Sequence, residues 1–495
     1  MTPTLDKNII KLPSDQDISG RSFGAEEIAA VTEVLQSGVL ITTKGKYGKL
    51  LEQTFAEKLG VKYAYACNSG SAAVHTAIAA INPNPGDEIV TTSITDMGAL
   101  TPIVFQGAIP VFADVCPKTL NVTAQTIEKV LSPKTKAIIV THLFGNPARM
   151  KEIMELANRR GIPVIEDTAQ SFLATVDGKY AGTIGTIGAF SFQQGKQMTC
   201  GEGGIVVTND DEIARRMYLF INKAWGYGDA NPDHYFASLN YRMTELQAAI
   251  AYEQLKKLDY SVAQRQKMAA LLDEKIAGID GIESYKPAAD STMTYWKFCL
   301  RVDDAKIRDG AVGLAKALKT YDVASAPRYV VKPAYKCMVF REQNTFGDSR
   351  YPFNLARPEA VDYNDDNFKG TLKGLHDVLV LPINEKYTEE HIEFLAESIR
   401  EAVESLVNQP DTDDIDINAF KKYQTELKSK AEDAPMQPSK KNAGSKEKQG
   451  EMIVDTEKVK RSEERRKLRR AKKERKLRRS VLEFMPIWIG LAAMV

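Results

Sequence analysis

Lys196 stands between an apolar run that ends at Phe192 and a glycine cluster leading into a second apolar run, Ile205–Thr208. The stretch reads Gly188-Ala-Phe-Ser-Phe-Gln-Gln-Gly-Lys-Gln-Met-Thr-Cys-Gly-Glu-Gly-Gly204. A lysine held at a strand end inside a compact fold loses hydration. Its pKa falls, and its free amine becomes a nucleophile toward carbonyls. That is the chemistry of a Schiff-base lysine, and the fitting carbonyl is the aldehyde of pyridoxal 5′-phosphate (PLP). A lone loop lysine is ordinarily a solvated surface charge, so the reading needs other groups suited to the same cofactor.

Three segments supply them. Asn68-Ser-Gly-Ser-Ala-Ala73 separates the apolar run Tyr63–Cys67 from the helical run Ala72–Ile81. Small residues before a helix start leave backbone N–H groups free to face an anion, and hydroxyls add donors. Gly70 and its neighbours would form a phosphate cup; an ordinary N-cap at Ser69 or Ser71 explains the same residues. Pro163-Val-Ile-Glu-Asp-Thr-Ala-Gln170 is an apolar strand ending in Glu166 and Asp167. A carboxylate at the end of a parallel strand faces the crevice where α/β folds bind ligands. Asp167 would there pair with a protonated pyridine nitrogen; taken alone it reads as an ordinary strand-end Asp. In Asn240-Tyr-Arg-Met-Thr-Glu-Leu-Gln-Ala-Ala249, Thr244 and Glu245 open a helix with apolar residues at Leu246, Ala249, Ile250, Leu255 and Leu258. Asn240 and Arg242 lie just before it, within reach of an anion, although helix capping plus a surface arginine also accounts for them.

In this order and spacing the segments resemble the DegT/DnrJ/StrS family of PLP-dependent sugar aminotransferases, of the aspartate-aminotransferase-like fold type I. The resemblance covers about residues 18 to 407. It includes Gly24-Ala-Glu-Glu-Ile-Ala-Ala-Val, Ser37-Gly-Val-Leu, Pro85-Gly-Asp-Glu-Ile-Val90 and Thr141-His-Leu-Phe-Gly145. Phe192-Gln-Gln-Gly-Lys196 and Asn240-Tyr-Arg-Met look most like the branch acting on keto-cyclitols, the glutamine:scyllo-inosose aminotransferases. The resemblance implies that Lys196 forms the Schiff base, that Asp167 meets the pyridine nitrogen, and that Gln170 lies beside the ring hydroxyl. It assigns phosphate binding to Ser71, Ala72 and Ser191, with Gly70 in the same turn. Asn240 would reach the phosphate of a neighbouring subunit's cofactor, which implies a homodimer with shared active sites. Two positions depart from the family pattern. The phosphate turn has Ser-Gly-Ser for the common Ser-Gly-Thr. In Thr92-Ser-Ile-Thr-Asp-Met-Gly98, Asp96 occupies the place of an aromatic residue that stacks on the pyridine. Such a face contributes about 0.5–1.5 kcal/mol beyond area burial, and Met97 could cover the ring with its thioether.

The elements that must position these residues follow from patterning. Short apolar runs (Glu88–Thr92, Pro110–Ala113, Ala137–Thr141, Ile162–Ile165) alternate with helical patterns such as Met150–Arg160. This predicts a mostly parallel sheet flanked by helices in a large PLP-binding domain, residues 1–280. Residues 281–408 read as a smaller C-terminal α/β domain. Its strands are expected at Tyr295–Val302 and Val378–Leu381, and its last helix has apolar residues at Ile392, Leu395, Ile399, Ala402 and Leu406. Loops containing Arg328, Tyr329 and Lys332, and Phe346-Gly-Asp-Ser-Arg350, are candidates for the substrate pocket; Arg242 is a candidate for the donor carboxylate.

Residues 409–457 read as a disordered linker, rich in Asp, Lys, Gln, Ser and Pro. Residues 458–495 form a basic stretch followed by a short apolar segment. Fourteen Lys and Arg against three acids give Lys458–Arg479 a net +11, so a chain of net +1 carries −10 elsewhere. The apolar run Val481–Val495 would span roughly 22 Å as a helix, short of a ~30 Å hydrocarbon core. Basic residues beside Trp488 suit an anionic membrane surface. Nucleic acid is the weaker reading because no aromatic residue interleaves Lys458–Arg479, and a solvated charged helix explains the pattern equally.

The five cysteines (Cys67, Cys116, Cys200, Cys299, Cys337) show no paired spacing, which argues for a reducing compartment and no metal site. Residues 1–20 lack an apolar signal core, so the expected location is cytoplasmic, with peripheral membrane contact through the tail. His142 reads as a satisfied core residue rather than a pocket group. The expected activity is transfer of an amino group from glutamate or glutamine to a keto sugar, often nucleotide-linked, or a keto-cyclitol, in a ping-pong cycle. Two alternatives stand beside it: a dehydratase-type PLP reaction on a sugar, and a non-catalytic scaffold acting through its basic tail.

Overall fold

Apolar strands and amphipathic helices alternate through the first half of the chain and build a seven-stranded sheet. The structure is a computed structural model and describes residues 9–330 and 332–407. In chain order the strands are β1 (Tyr63–Cys67), β2 (Glu88–Thr92), β3 (Ile109–Ala113), β4 (Thr135–Thr141) and β5 (Val164–Asp167). A short hairpin follows, β6 (Thr175–Val176) and β7 (Lys179–Tyr180), then β8 (Ile187–Ser191) and β9 (Gly204–Thr208). The sheet order is β1-β9-β8-β5-β4-β2-β3. Pairing is parallel from β3 through β2, β4 and β5 to β8; β9 runs antiparallel to both its neighbours, β8 and β1. The mostly parallel sheet expected from the sequence is present.

The same region carries helices α1 (Ala25–Ser37), α2 (Tyr47–Leu59), α3 (Gly70–Ile81), α4 (Thr101–Phe105), α5 (Ala124–Glu128), α6 (Met150–Arg160), α7 (Asp211–Ile221) and α8 (Glu245–Lys275). Helices cover both sheet faces, which is why β2, β3, β8 and β9 are buried at every position. Val90, Ile138, Val140 and Val164 meet Met150, Ile153 and Leu156 of α6. Their strand neighbours Ile89, Ile139 and Ile165 pack with Ala73, Val74 and Ile78 of α3 in a different cluster. Burying each such aliphatic side chain contributes about 1.5–3 kcal/mol. Phe55 of α2 packs edge-on against Phe172, Phe190 and Phe192, so the run leading to Lys196 is anchored by aromatic contacts.

A second, antiparallel sheet follows, with strands β10 (Ile282–Ser284), β12 (Lys297–Val302), β13 (Ala326–Pro327) and β14 (Val378–Pro382) in the order β10-β12-β14-β13; the remaining strand, β11 (Ser291–Thr292), pairs with β6. Helices α9 (Gly310–Lys319), α10 (Met338–Arg341), α11 (Lys369–Asp377) and α12 (Glu389–Val407) accompany it. Ile392, Leu395, Ile399 and Ala402 of α12 pack on Phe298, Leu300, Leu379 and Leu381, as their spacing predicts. The 31-residue α8 is about 46 Å long at 1.5 Å per residue. Its Leu255, Leu258 and Val262 belong to one core and its Met268 and Leu272 to that of the second sheet. Thr244 and Gln247 close a capping box at its start.

Several boundaries agree with the sequence reading, among them Tyr63–Cys67, Glu88–Thr92 and Met150–Arg160. The strand expected at Ile162–Ile165 instead runs Val164–Asp167. The Ile162 N–H is used by the carbonyl of Ala157 at the end of α6, and Pro163 has no N–H to give. The strand expected from Tyr295 begins at Lys297, because Tyr295 is left-handed and the Trp296 N–H turns to the carbonyl of Phe144. The expected linker 409–457 and the basic and apolar segment 458–495 lie outside the described residues. Among the described residues no helix is long and apolar enough to cross a membrane.

Candidate active site

Strand ends converge where the candidate residues lie. β1 runs into the turn at Ser69, β5 ends on Asp167, and β8 ends on Ser191, four residues before the Gly195-Lys196 pair. Ser69 caps α3: its Oγ accepts from the Ala72 N–H at 3.0 Å and its carbonyl from the Ala73 N–H at 3.0 Å. The N–H groups of Gly70 and Ser71 have no partner among the described residues, so the start of a 12-residue helix presents open donors. A Cβ on Gly70 would lie 2.5 Å from Cβ of Ser191, so only glycine lets the Ser191 hydroxyl approach this helix start. A Cβ on Gly98 would come within 2.2 Å of Ser71 Oγ, which places the Asp96–Gly98 turn against the same spot. The Ala72 N–H, assigned to phosphate by the resemblance, is already taken by Ser69.

Asp167 is buried at 5 % exposure, and among the described residues its carboxylate accepts two neutral hydrogen bonds, from Thr141 Oγ1 and the Ala169 N–H, both at 3.2 Å. Burial pushes its pKa up, against the opposing pull of these donors and of the Lys196 charge. Lys196 keeps some exposed surface, but the protein around it strips enough water to bring its ammonium down to about 8; the carboxylates of Asp167 and Asp96 hold it from falling further. Its Nζ lies 4.4 Å from the ring centre of Trp296.

Gln170 is gripped from two sides. Its Oε1 accepts from the Phe144 N–H at 2.8 Å, and its Nε2 donates to Tyr329 Oη at 3.3 Å. Tyr329 stands edge-on to Phe144 and Trp296, and the charges of Asp96 and Asp167 both act on its phenol. Tyr329 therefore reaches the Lys196–Asp167 pair, whereas Arg328 and Lys332 lie exposed at the surface. Arg328 and Tyr329 both have left-handed backbone, φ 66° and 52°, a conformation that costs L-residues energy. Arg242 pairs through its backbone with Cys67, two residues before Ser69, and its guanidinium reaches Asn222 Oδ1 at 3.5 Å. Asn240 is exposed, next in sequence to Leu239, which is 62 % exposed, and its backbone pairs with Asn222. Phe346 packs on Phe105 and Tyr351 instead of on the Lys196 pocket. His142 is fully buried between Glu166 Oε2 (2.9 Å) and the Ala148 N–H (3.1 Å), as a satisfied core residue.

Sequence reasoning missed a second set of groups around the lysine. Arg21 Nη1 donates to the Lys196 carbonyl at 2.7 Å, its Nη2 donates to the Gln194 carbonyl, and Trp296 Nε1 donates to the Gly195 carbonyl at 2.7 Å. Arg21 Nε donates to the Asp15 carbonyl at 2.9 Å, and Gln194 Nε2 to the same oxygen at 3.0 Å. The Asp15 carboxylate is paired with Lys297 (2.9 Å) and Arg265 (3.3 Å), and Arg265 with Glu385 (2.8 Å). Burial works against ionising Asp15, yet Arg265, Lys297 and Arg21 together hold its pKa below the usual range.

These residues fit PLP. The open N–H groups at α3 with the Ser191 hydroxyl suit its phosphate. A buried carboxylate short of donors suits a protonated ring nitrogen, and a partly exposed amine with a depressed pKa suits its aldehyde. Fold and site together define a PLP-dependent aminotransferase of fold type I. The chain belongs to the DegT/DnrJ/EryC1/StrS aminotransferase family, whose model matches residues 21–400. It is 37 % identical over 268 residues to the GDP-perosamine synthase of Caulobacter vibrioides, covering 53 % of this chain and 71 % of that protein. It is 35 % identical over 291 residues to the GDP-perosamine synthase of Escherichia coli O157:H7, covering 58 % and 78 %. Among solved structures, an aminotransferase from Psychrobacter cryohalolentis superposes with a TM-score of 0.70 at 29 % identity, covering 79 % of this chain and 99 % of that one. The aminotransferase TlmJ from Streptoalloteichus hindustanus gives 0.67 at 28 %, covering 78 % and 98 %.

Proposed function

We propose that this aminotransferase moves the amino group of glutamate or glutamine onto the keto carbon of a nucleotide-linked keto sugar. The observation that carries the reading is Lys196, its ammonium lowered to about 8, set beside the buried Asp167. The two GDP-perosamine synthase relatives favour a nucleotide-linked acceptor. The likeness of Phe192–Lys196 and Asn240–Met243 to keto-cyclitol enzymes makes a keto-cyclitol the second acceptor to test.

Bound PLP supplies an aldehyde carbon that takes up the amino group and a ring that accepts the electron pair left by a departing proton. Lys196 would be the covalent anchor, and once freed, its Nζ would take the proton from the donor carbon and deliver it to the former aldehyde carbon of the cofactor, acting as base and then acid. A pKa near the working pH suits both directions. Asp167 keeps a proton on the ring nitrogen. Gln170, held by Phe144 and Tyr329, would meet the ring hydroxyl, as the family resemblance implies. The N–H groups of Gly70 and Ser71, with Ser191 Oγ, hold the phosphate. Ala72 supports this turn through its bond to Ser69. Asn240, exposed at the surface, would serve a second copy of the chain, as the family resemblance implies, and Arg242 beside the cup is the candidate for the donor carboxylate.

The test is an absorption spectrum of the purified protein and of Lys196→Ala, before and after glutamate or glutamine. A near-visible band present only in the parent and lost on adding donor supports the reading. GDP-keto sugars and keto-cyclitols are then compared by which restores it. Absence of the band with excess PLP would overturn the proposal.

A further inference from the structure

The carbonyls of Gln194, Gly195 and Lys196 are consecutive, and each accepts a hydrogen bond from a side chain distant in sequence: Arg21, Trp296 and Arg21 again. Loop carbonyls are normally left to water or to neighbouring backbone. Arg21 is 2 % exposed and its guanidinium forks across two of the three, a geometry a lysine cannot reproduce. Its Nε is spent on the Asp15 carbonyl. Asp15 is itself held by Lys297 and Arg265, so the fork cannot swing away from the loop. Trp296 approaches from a segment about a hundred residues further along the chain, just before β12, and its indole N–H is committed to the Gly195 carbonyl.

We infer that Arg21 and Trp296 form a carbonyl clamp that positions the Lys196 backbone, so that the lysine side chain pivots from a fixed Cα when it captures the cofactor and when it later moves a proton. All three nitrogens of the Arg21 guanidinium are committed to backbone carbonyls, so it is a positioning residue that acts through Lys196. The inference rests on Lys196 being the covalent anchor. Without the clamp the loop keeps its sequence and its exits into β8 and β9, but the amine samples a wider volume. A displacement of about 1 Å at a reacting group costs on the order of a hundredfold in rate. The phosphate cup and Asp167 belong to other strand ends, so noncovalent recognition of PLP is left intact.

Arg21→Met removes the fork while keeping side-chain length. Apo protein is mixed with PLP and covalent capture is followed by absorbance. The noncovalent PLP Kd is measured in Lys196→Ala with and without Arg21→Met, and the thermal midpoint of each apo protein is recorded. The expected result is capture slowed by about a hundredfold, with the same noncovalent Kd in the single and double variants. Capture at the parental rate, or a noncovalent Kd weakened by as much as capture is slowed when Arg21→Met is added to Lys196→Ala, would overturn the clamp. Should Arg21→Met fail to fold, Trp296→Phe removes the indole N–H while keeping an aromatic ring, and the same two readings decide. A parent protein that shows no covalent capture sinks the anchor reading instead, which separates the two failures.

Discussion

At the scale of single residues, the chemistry turns on a lysine stripped of water. A group whose folded pKa is lowered to about 8 is charged below that value and free above it. Capture of PLP by the apo enzyme should therefore quicken about tenfold per pH unit below 8 and level off above it, as stopped-flow absorbance would record. The same shift costs stability. Burial opposes the charged form, so the penalty is full below pH 8 and vanishes as pH rises past the unfolded value near 10.4. Lys196→Met should raise apo stability at pH 7 by roughly 1–3 kcal/mol, and by less at pH 10; urea melts at the two pH values check the sign. Asp167→Asn should lower kcat by about a hundredfold, the order lost when an electrostatic stabiliser is removed. Lys196, Asp167 and the Ser69–Ser71 turn were legible because each sits at the end of a short apolar run, a local pattern. Arg21 and Trp296 were not: they reach the lysine loop across sequence separations of 175 and 101 residues, and nothing in their own surroundings marks them. Asp96, where the sequence lacked a stacking aromatic, proves to sit close enough to act on the Lys196 charge.

At the scale of elements, strands were read well because buried parallel strands are continuous apolar runs, and errors fell at their ends. Pro163 and the left-handed Tyr295 each moved a strand start by two residues, through hydrogen bonds that sequence periodicity does not encode. The capping box of α8 is a place where local chemistry should be measurable. Thr244→Ala should cost about 1 kcal/mol in a urea melt. Gly70→Ala should behave differently, since its methyl would collide with Ser191 and push α3 from β8. The expected signature is a weaker PLP Kd in the Lys196→Ala background, with the phosphate cup opened.

At the scale of the whole molecule, α8 ties the two sheets together, and Arg265 sits where it passes from one core to the other. Its guanidinium is fully buried and shared between Asp15 and Glu385. Breaking a buried pair by removing one partner strands the other charges and costs about 3–5 kcal/mol. Arg265→Met should therefore show a large drop in the midpoint of chemical unfolding, and PLP should protect it less than it protects the parent. Deleting residues 409–495 tests the remaining alternative: a transaminase should keep its turnover, whereas a scaffold acting through the basic tail would lose its activity.

The same guanidinium links residues made early and late in synthesis. On a ribosome Lys196 emerges long before Trp296, and Trp296 long before Glu385. A nascent chain that ends short of Glu385 leaves Arg265 without its second carboxylate, and one that ends short of Trp296 also lacks Lys297, the partner of Asp15, and the indole on the Gly195 carbonyl, so the grip on the lysine loop is incomplete. Covalent capture of the cofactor is then a finishing step, coupled to completion of the second sheet.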